Sequence, residues 1–138
     1  MRTIKFRGKN IVTGEWVYGN LFHGKRQGEN YAVILMDKRY VHEVKLPEDI
    51  PFGFYKDEIT VVYPNTVGQF TGLFDKDEKE IWEHDIVNWD GVKLIVEFVD
   101  GGFCIHENYK DATLHDIFFE RDEINVIGNI HDNPELLK

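Results

Sequence analysis

Apolar residues along this chain fall in short runs rich in valine and isoleucine, and the runs are cut by glycine-bearing turns. Asp85-Ile86-Val87-Asn88-Trp89 is followed by Asp90-Gly91, then by Lys93-Leu94-Ile95-Val96-Glu97-Phe98-Val99. Asp100-Gly101-Gly102 and Phe103-Cys104-Ile105-His106 come next. Asp-Gly supplies the positive φ that a tight hairpin demands, so these residues predict a three-strand meander. Residues 124–130 predict one more strand, and residues 67–71 a partner ahead of the meander. Five short strands of this kind predict a small SH3-like barrel.

The first half is less regular. Residues 16–21, 31–35, 40–44 and 59–62 read as strands, with turns at Thr13-Gly14 and Asp37-Lys38-Arg39. Residues 46–53 carry Pro47 and Pro51 and read as a loop. Leu114, Ile117 and Phe118 share a helical spacing, so residues 112–119 predict a short helix. Pro134 opens a last turn over Glu135, Leu136 and Leu137. The fold class is therefore mainly β with minor α. An irregular β subdomain spans residues 1–64 and the barrel spans residues 65–138, with the boundary where charge and turn chemistry change.

Composition supports strands. There are two alanines and eight leucines against twenty-six isoleucines plus valines. Ala and Leu favour helices, whereas β-branched side chains suit a pleated surface. With 138 residues, 42% of them hydrophobic, the chain can build a core without staples. Its single cysteine, Cys104, excludes an internal disulfide and fits a reducing compartment. No apolar stretch is long enough for a membrane helix. Met1-Arg2-Thr3-Ile4-Lys5-Phe6-Arg7 lacks the apolar region of a secretory signal. The expected location is the cytoplasm.

Net charge is −9 and lopsided: residues 1–64 hold ten Lys/Arg against eight Asp/Glu, whereas residues 65–138 hold six against seventeen. The second half repels phosphate backbones, which argues against nucleic acid as its partner.

Three stretches resemble the YopX family of phage and prophage proteins. They are Ile4-Lys5-Phe6-Arg7, then Gly68-Gln69-Phe70-Thr71-Gly72-Leu73-Phe74-Asp75-Lys76-Asp77 with Lys79-Glu80-Ile81-Trp82-Glu83-His84-Asp85-Ile86-Val87, and finally Val126-Ile127-Gly128-Asn129-Ile130-His131-Asp132-Asn133-Pro134-Glu135-Leu136. Two stretches depart from the family's usual pattern. Gly8 and Lys9 stand where Ala and Trp are usual, and His84 stands where Gly is usual, which points to a different local turn. The resemblance implies a phage or prophage origin and a mainly β fold with a barrel-like second part. It carries no established activity, so no catalytic residue transfers.

Several chemistries are excluded or weakened by the residues themselves. The chain has no serine, which removes every serine-nucleophile mechanism. It has no phosphate-binding Gly-x4-Gly-Lys-Ser/Thr loop. Cys104 and His106 lie two apart on one strand face, the placement a thiolate–imidazole pair needs, yet a free cysteine is usually a small buried hydrophobe. Asp75-Lys76-Asp77-Glu78-Lys79-Glu80 departs from the calcium-loop template at Lys79, Glu80 and Ile86, and reads as a charged hairpin tip. Glu80, Glu83, His84 and Asp85 are a candidate metal or acid–base group, read here as solvated charges beside a strand. Lys25, Arg26, Lys38 and Arg39, with Tyr31 and Tyr40, are the one basic cluster interleaved with rings, and so the candidate nucleic-acid site.

The leading reading is a non-enzymatic accessory protein that contacts other proteins, self-association included, with no cofactor and no metal. The alternatives are a nucleic-acid-binding module using Lys25 to Arg39, and a metal-dependent enzyme centred on Glu80 to Asp85.

Overall fold

The computed structural model describes residues 2–36, 59–107 and 114–138. It divides into two compact units, Thr3–Gln69 and Phe70–Lys138. The expected turn at Asp37-Lys38-Arg39, strand over 40–44 and loop over 46–53 lie outside the described residues, as do the first residues of the helix expected over 112–119.

The first unit is an antiparallel sheet. Its strands are β1 (Phe6–Lys9), β2 (Trp16–Arg26), β3 (Glu29–Met36) and β4 (Ile59–Val62), in the order β4-β3-β2-β1. The strand β5 (Gly68–Phe74) lies beside β1, with Gly68 opposite Arg7 and Gln69 opposite Phe6. Alternation along β3 buries Ala32, Ile34 and Met36 on one face, where they meet Val17 and Val62. Two buried polar groups here have clear partners: Thr60 donates its hydroxyl to Met36 Sδ at 3.0 Å, and Asn10 Oδ1 accepts the Val12 N–H at 2.8 Å to shape the β1–β2 turn. The Arg7 guanidinium stacks 4.5 Å from the centre of the Trp16 ring. Gly8 stands where backbone and side chain approach closely, since a Cβ there would lie 2.8 Å from Val62 Cγ2. That contact leaves no room for an alanine at position 8 while Val62 stays in place.

In the second unit the last residues of β5 pair with β6 (Glu80–Trp82). The meander follows as β7 (Asp85–Trp89), β8 (Val92–Val99) and β9 (Gly102–His106). Its two turns are those the sequence predicts. Asp90 and Gly91 take φ of 46° and 86°, and Asp100 and Gly101 take 50° and 83°. After it come β10 (His115–Asp116), the one-turn helix α1 (Ile117–Glu120) and β11 (Ile124–Asn129), and Pro134–Leu137 closes the chain as a 3-10 turn. The helix is shorter than expected because residues 115 and 116 pair with Ile105 and Cys104 as strand.

Strand order in this sheet is β10-β9-β8-β7-β11. Its core gathers Val87, Leu94, Val96, Ile105 and Ile124 on one face, with Ile81 and Ile117 packed against them. Trp89 on β7 and His115 on β10 stand three strands apart, which in a flat sheet is about 14 Å. Their ring centres lie only 5.0 Å apart, so the sheet is strongly curled about its core. Among the described residues, however, the edge strands β10 and β11 do not bond to each other. The expected barrel is therefore an open, curled sheet.

A buried carboxylate ties this unit together. Asp75 Oδ1 accepts the N–H groups of Asp77 (2.8 Å) and Lys79 (2.9 Å), and its Oδ2 accepts that of Val126 at 2.8 Å. Lys76 N–H donates to Ile124 O at 3.1 Å beside it. The β5–β6 hairpin is as expected, but Asp75 is not a solvated charge at its tip. Asp75→Ala strands three donors, and we expect it to lower the unfolding free energy by about 3 kcal/mol. Asp75→Asn, which keeps one accepting oxygen, should fall between that variant and the parent in urea denaturation.

Candidate functional site

The three described residues of the basic cluster, Lys25, Arg26 and Tyr31, lie near the end of the β2–β3 hairpin. Gln27 and Gly28 form its turn with φ of 52° and 81°. Lys25 faces Asn30, Arg26 faces Glu29, and Tyr31 lies across Gly24. Successive strand residues point to opposite faces, so Lys25 and Arg26 do not share one, and only Arg26 is on the side of Tyr31. Lys38, Arg39 and Tyr40 lie outside the described residues.

Glu80, Glu83, His84 and Asp85 do not form one site: Glu83 Oε2 lies 3.7 Å from His84 Nε2, while Asp85 is turned to a backbone donor. Asp85 is 2% exposed, and its Oδ2 accepts the Trp82 N–H at 2.8 Å, closing the turn between β6 and β7. It is buried rather than solvated, because that turn needs an internal acceptor. His84 donates its N–H to Val96 O at 2.7 Å and accepts the Ile130 N–H on its carbonyl at 3.0 Å. Its ring packs edge-on against His131, with Nδ1 3.3 Å from His131 Nε2. Among the described residues no three His, Cys, Asp or Glu side chains are grouped to hold a metal ion.

Cys104 and His106 are likewise spent on structure. His106 Nε2 lies 2.7 Å from Glu97 Oε2, and its Nδ1 lies 2.7 Å from Glu107 O. Burial pushes the Cys104 thiol above its ordinary value of 9.0, and the carboxylates of Glu97, Asp100 and Asp116 push it the same way. A nucleophilic cysteine needs the opposite shift.

One feature with room for a ligand was missed by sequence reasoning. The cross-strand pairs Trp89 with Val92 and Val87 with Leu94 put Trp89 and Val92 on the core face, and the pair His115 with Ile105 does the same for His115. The core fills one stretch of the curled face, and beyond it the face opens into a recess of about 960 Å³. Besides Trp89, Val92, Leu94 and His115, its lining includes Lys76, Asp90, Glu107 and Glu123. The indole N–H donates to Glu123 Oε2 at 3.0 Å, while His115 packs on the ring at an interplanar angle of 79°. Both contacts fix the ring's orientation. The sequence signal was slight: an aromatic residue ending a strand just before Asp90-Gly91.

A chain of antiparallel sheets in two compact units, one of them curled around an aromatic-lined recess, is a small mainly β protein. It belongs to the YopX family: the family model described as YopX protein matches residues 5–138. It is similar in structure to protein EF1440 from Enterococcus faecalis, known from a crystal structure, with 25% sequence identity, a TM-score of 0.56 and coverage of 100% of both chains. No curated protein matches the chain. No helix among the described residues is long and apolar enough to cross a membrane.

The second departure from the family pattern is resolved. His84 adopts φ of 72°, the left-handed conformation that a glycine favours, and its two backbone bonds hold it there. A β-branched residue tolerates this poorly, so His84→Val should lose about 2 kcal/mol of stability, while His84→Gly should stay within about 0.5 kcal/mol of the parent, both read from urea denaturation. The Cys104 shift predicts a pH effect. Because the folded thiol ionises above its unfolded value, its contribution is complete below about pH 9 and falls as pH rises beyond it. Iodoacetamide should label the native thiol more slowly than the urea-unfolded one across that range. Cys104→Ala should flatten the alkaline decline of stability.

Proposed function

We propose that the protein is a phage or prophage accessory factor that acts in the host cytoplasm by contacting another protein, without catalysis. The observation that supports this most is the recess on the curled sheet, an open concavity whose aromatic wall is held in place. Preformed concave sites with a few placed polar groups are where proteins bind ligands, and fixed aromatic side chains are the usual anchors of protein contacts. We read the curled sheet as an SH3-like barrel opened along the seam between β10 and β11.

The reading is also supported by how the reactive side chains are used. Asp75, Asp85, Cys104 and His106 each serve the packing or bonding of the fold. Nucleic-acid contact through Lys25, Arg26 and Tyr31 has against it the opposite-face placement of the two cations. A metal-dependent reaction at Glu80 to Asp85 has against it the burial of Asp85 in a turn.

A photo-crosslinking residue at Val92, which is exposed within the recess, tests the reading in bacteria producing the full chain. We expect light-dependent protein adducts, self-adducts included, that are absent when the same group stands at Thr13. Adducts to nucleic acid, or none at Val92, would overturn it.

A further inference from the structure

The recess has a chemistry that selects among partners. Trp89 offers a half-buried indole whose edge is held by Glu123 and whose ring is braced by His115. Three carboxylates line the same recess, Asp90, Glu107 and Glu123, against one cation, Lys76, for a lining charge of −2 when His115 is neutral. Among the described residues none of the three is in an ion pair. Glu123 accepts one hydrogen bond from the indole, and a carboxylate accommodates about four, so it retains capacity toward a ligand. The surrounding half of the chain, residues 65–138, has six Lys/Arg against seventeen Asp/Glu. That excess attracts cations over distances near the Debye length.

An indole held at its edge by one carboxylate, in a recess lined by two more, is suited to a cation. A positive group over the ring is drawn to its quadrupole, and a guanidinium adds flat stacking and a two-pronged bond to carboxylate that an ammonium lacks. We infer that the recess lined by Trp89, His115, Glu107 and Glu123 binds an arginine side chain presented by an extended segment of a protein partner. This deepens the protein-contact reading and rests on it. A volume of about 960 Å³ exceeds one arginine side chain and leaves space for the segment that carries it.

The test uses the full chain at physiological salt and fluorescein-labelled hexapeptides with two arginines, two lysines or two citrullines. Anisotropy should show the arginine peptide binding at about 100 μM or tighter, the range of a weak single-anchor contact. The lysine peptide should bind several-fold more weakly, and the citrulline peptide, isosteric but uncharged, should not bind measurably. Glu107→Gln with Glu123→Gln changes two surface carboxylates while a glutamine oxygen can still accept the indole N–H. The doubly substituted chain should fold, give a parent-like circular dichroism spectrum, and lose about tenfold in affinity for the arginine peptide. Trp89→Phe should weaken it further if the ring is the platform. Equal binding of the citrulline peptide, no effect of the double substitution in a folded chain, or no binding at millimolar peptide would each overturn the inference. A lysine peptide as tight as the arginine one would overturn the choice of guanidinium. Spermidine that binds as tightly as the peptide would assign the recess to free polyamines instead. Loss of peptide binding with Val92 adducts intact would leave the protein-contact reading standing and reject only its chemistry.

Discussion

The arrangement of the second unit depends on one carboxylate with two well-separated obligations. Asp75 satisfies two N–H groups of its own turn and one from Val126, fifty-one residues further along the chain. The local bonds set the shape of the hairpin that presents Lys76. The distant bond fixes that hairpin against the strand that begins just after Glu123. Two of the recess's charged side chains are thus positioned by one buried anion, and the third anchor, Trp89, is positioned in turn by Glu123. A neutral acceptor of the same size offers fewer lone pairs for the same three donors. A buried carboxylate is tolerated because its bonds offset the cost of removing it from water.

What the sequence made legible was local. The Asp90-Gly91 and Asp100-Gly101 turns announce themselves because positive φ is needed at both residues of each. The strands they join are dense in β-branched residues, and β4 matches its expected span. The strands that escaped notice, β1 and β10, are short and mixed in polarity. They are strands because neighbours supply their ladders, and Phe-Arg-Gly-Lys has no pattern of its own to show that β2 and β5 flank it. The closed barrel was over-read for the same reason. Strand count is visible in a sequence, whereas closure depends on whether the last edge meets the first.

The candidate chemistry followed that division. Acidic residues in sequence clusters were read as solvated, yet Asp75 and Asp85 are the buried acceptors of tight turns. An Asp that opens a turn and one that decorates it have the same letter and nearly the same neighbours, and only the distant N–H at Val126 or the buried one at Trp82 separates them. The recess was illegible for a stronger reason. Trp89, Glu107, His115 and Glu123 come from four segments that only the curl of the sheet brings together, and no spacing in the chain encodes that curl.

The close approach of Gly8 to Val62 limits how relatives can diverge. A methyl group at position 8 has no room while a valine stands at position 62, since the contact would be 2.8 Å. An alanine at the first position therefore requires a smaller or displaced partner at the second. Starting from Gly8 with Val62, a larger residue at position 8 fits only once position 62 is trimmed or displaced, because otherwise their atoms overlap. The two sites are fifty-four residues apart in the chain, yet the space one side chain takes is set by the other, within a single van der Waals radius.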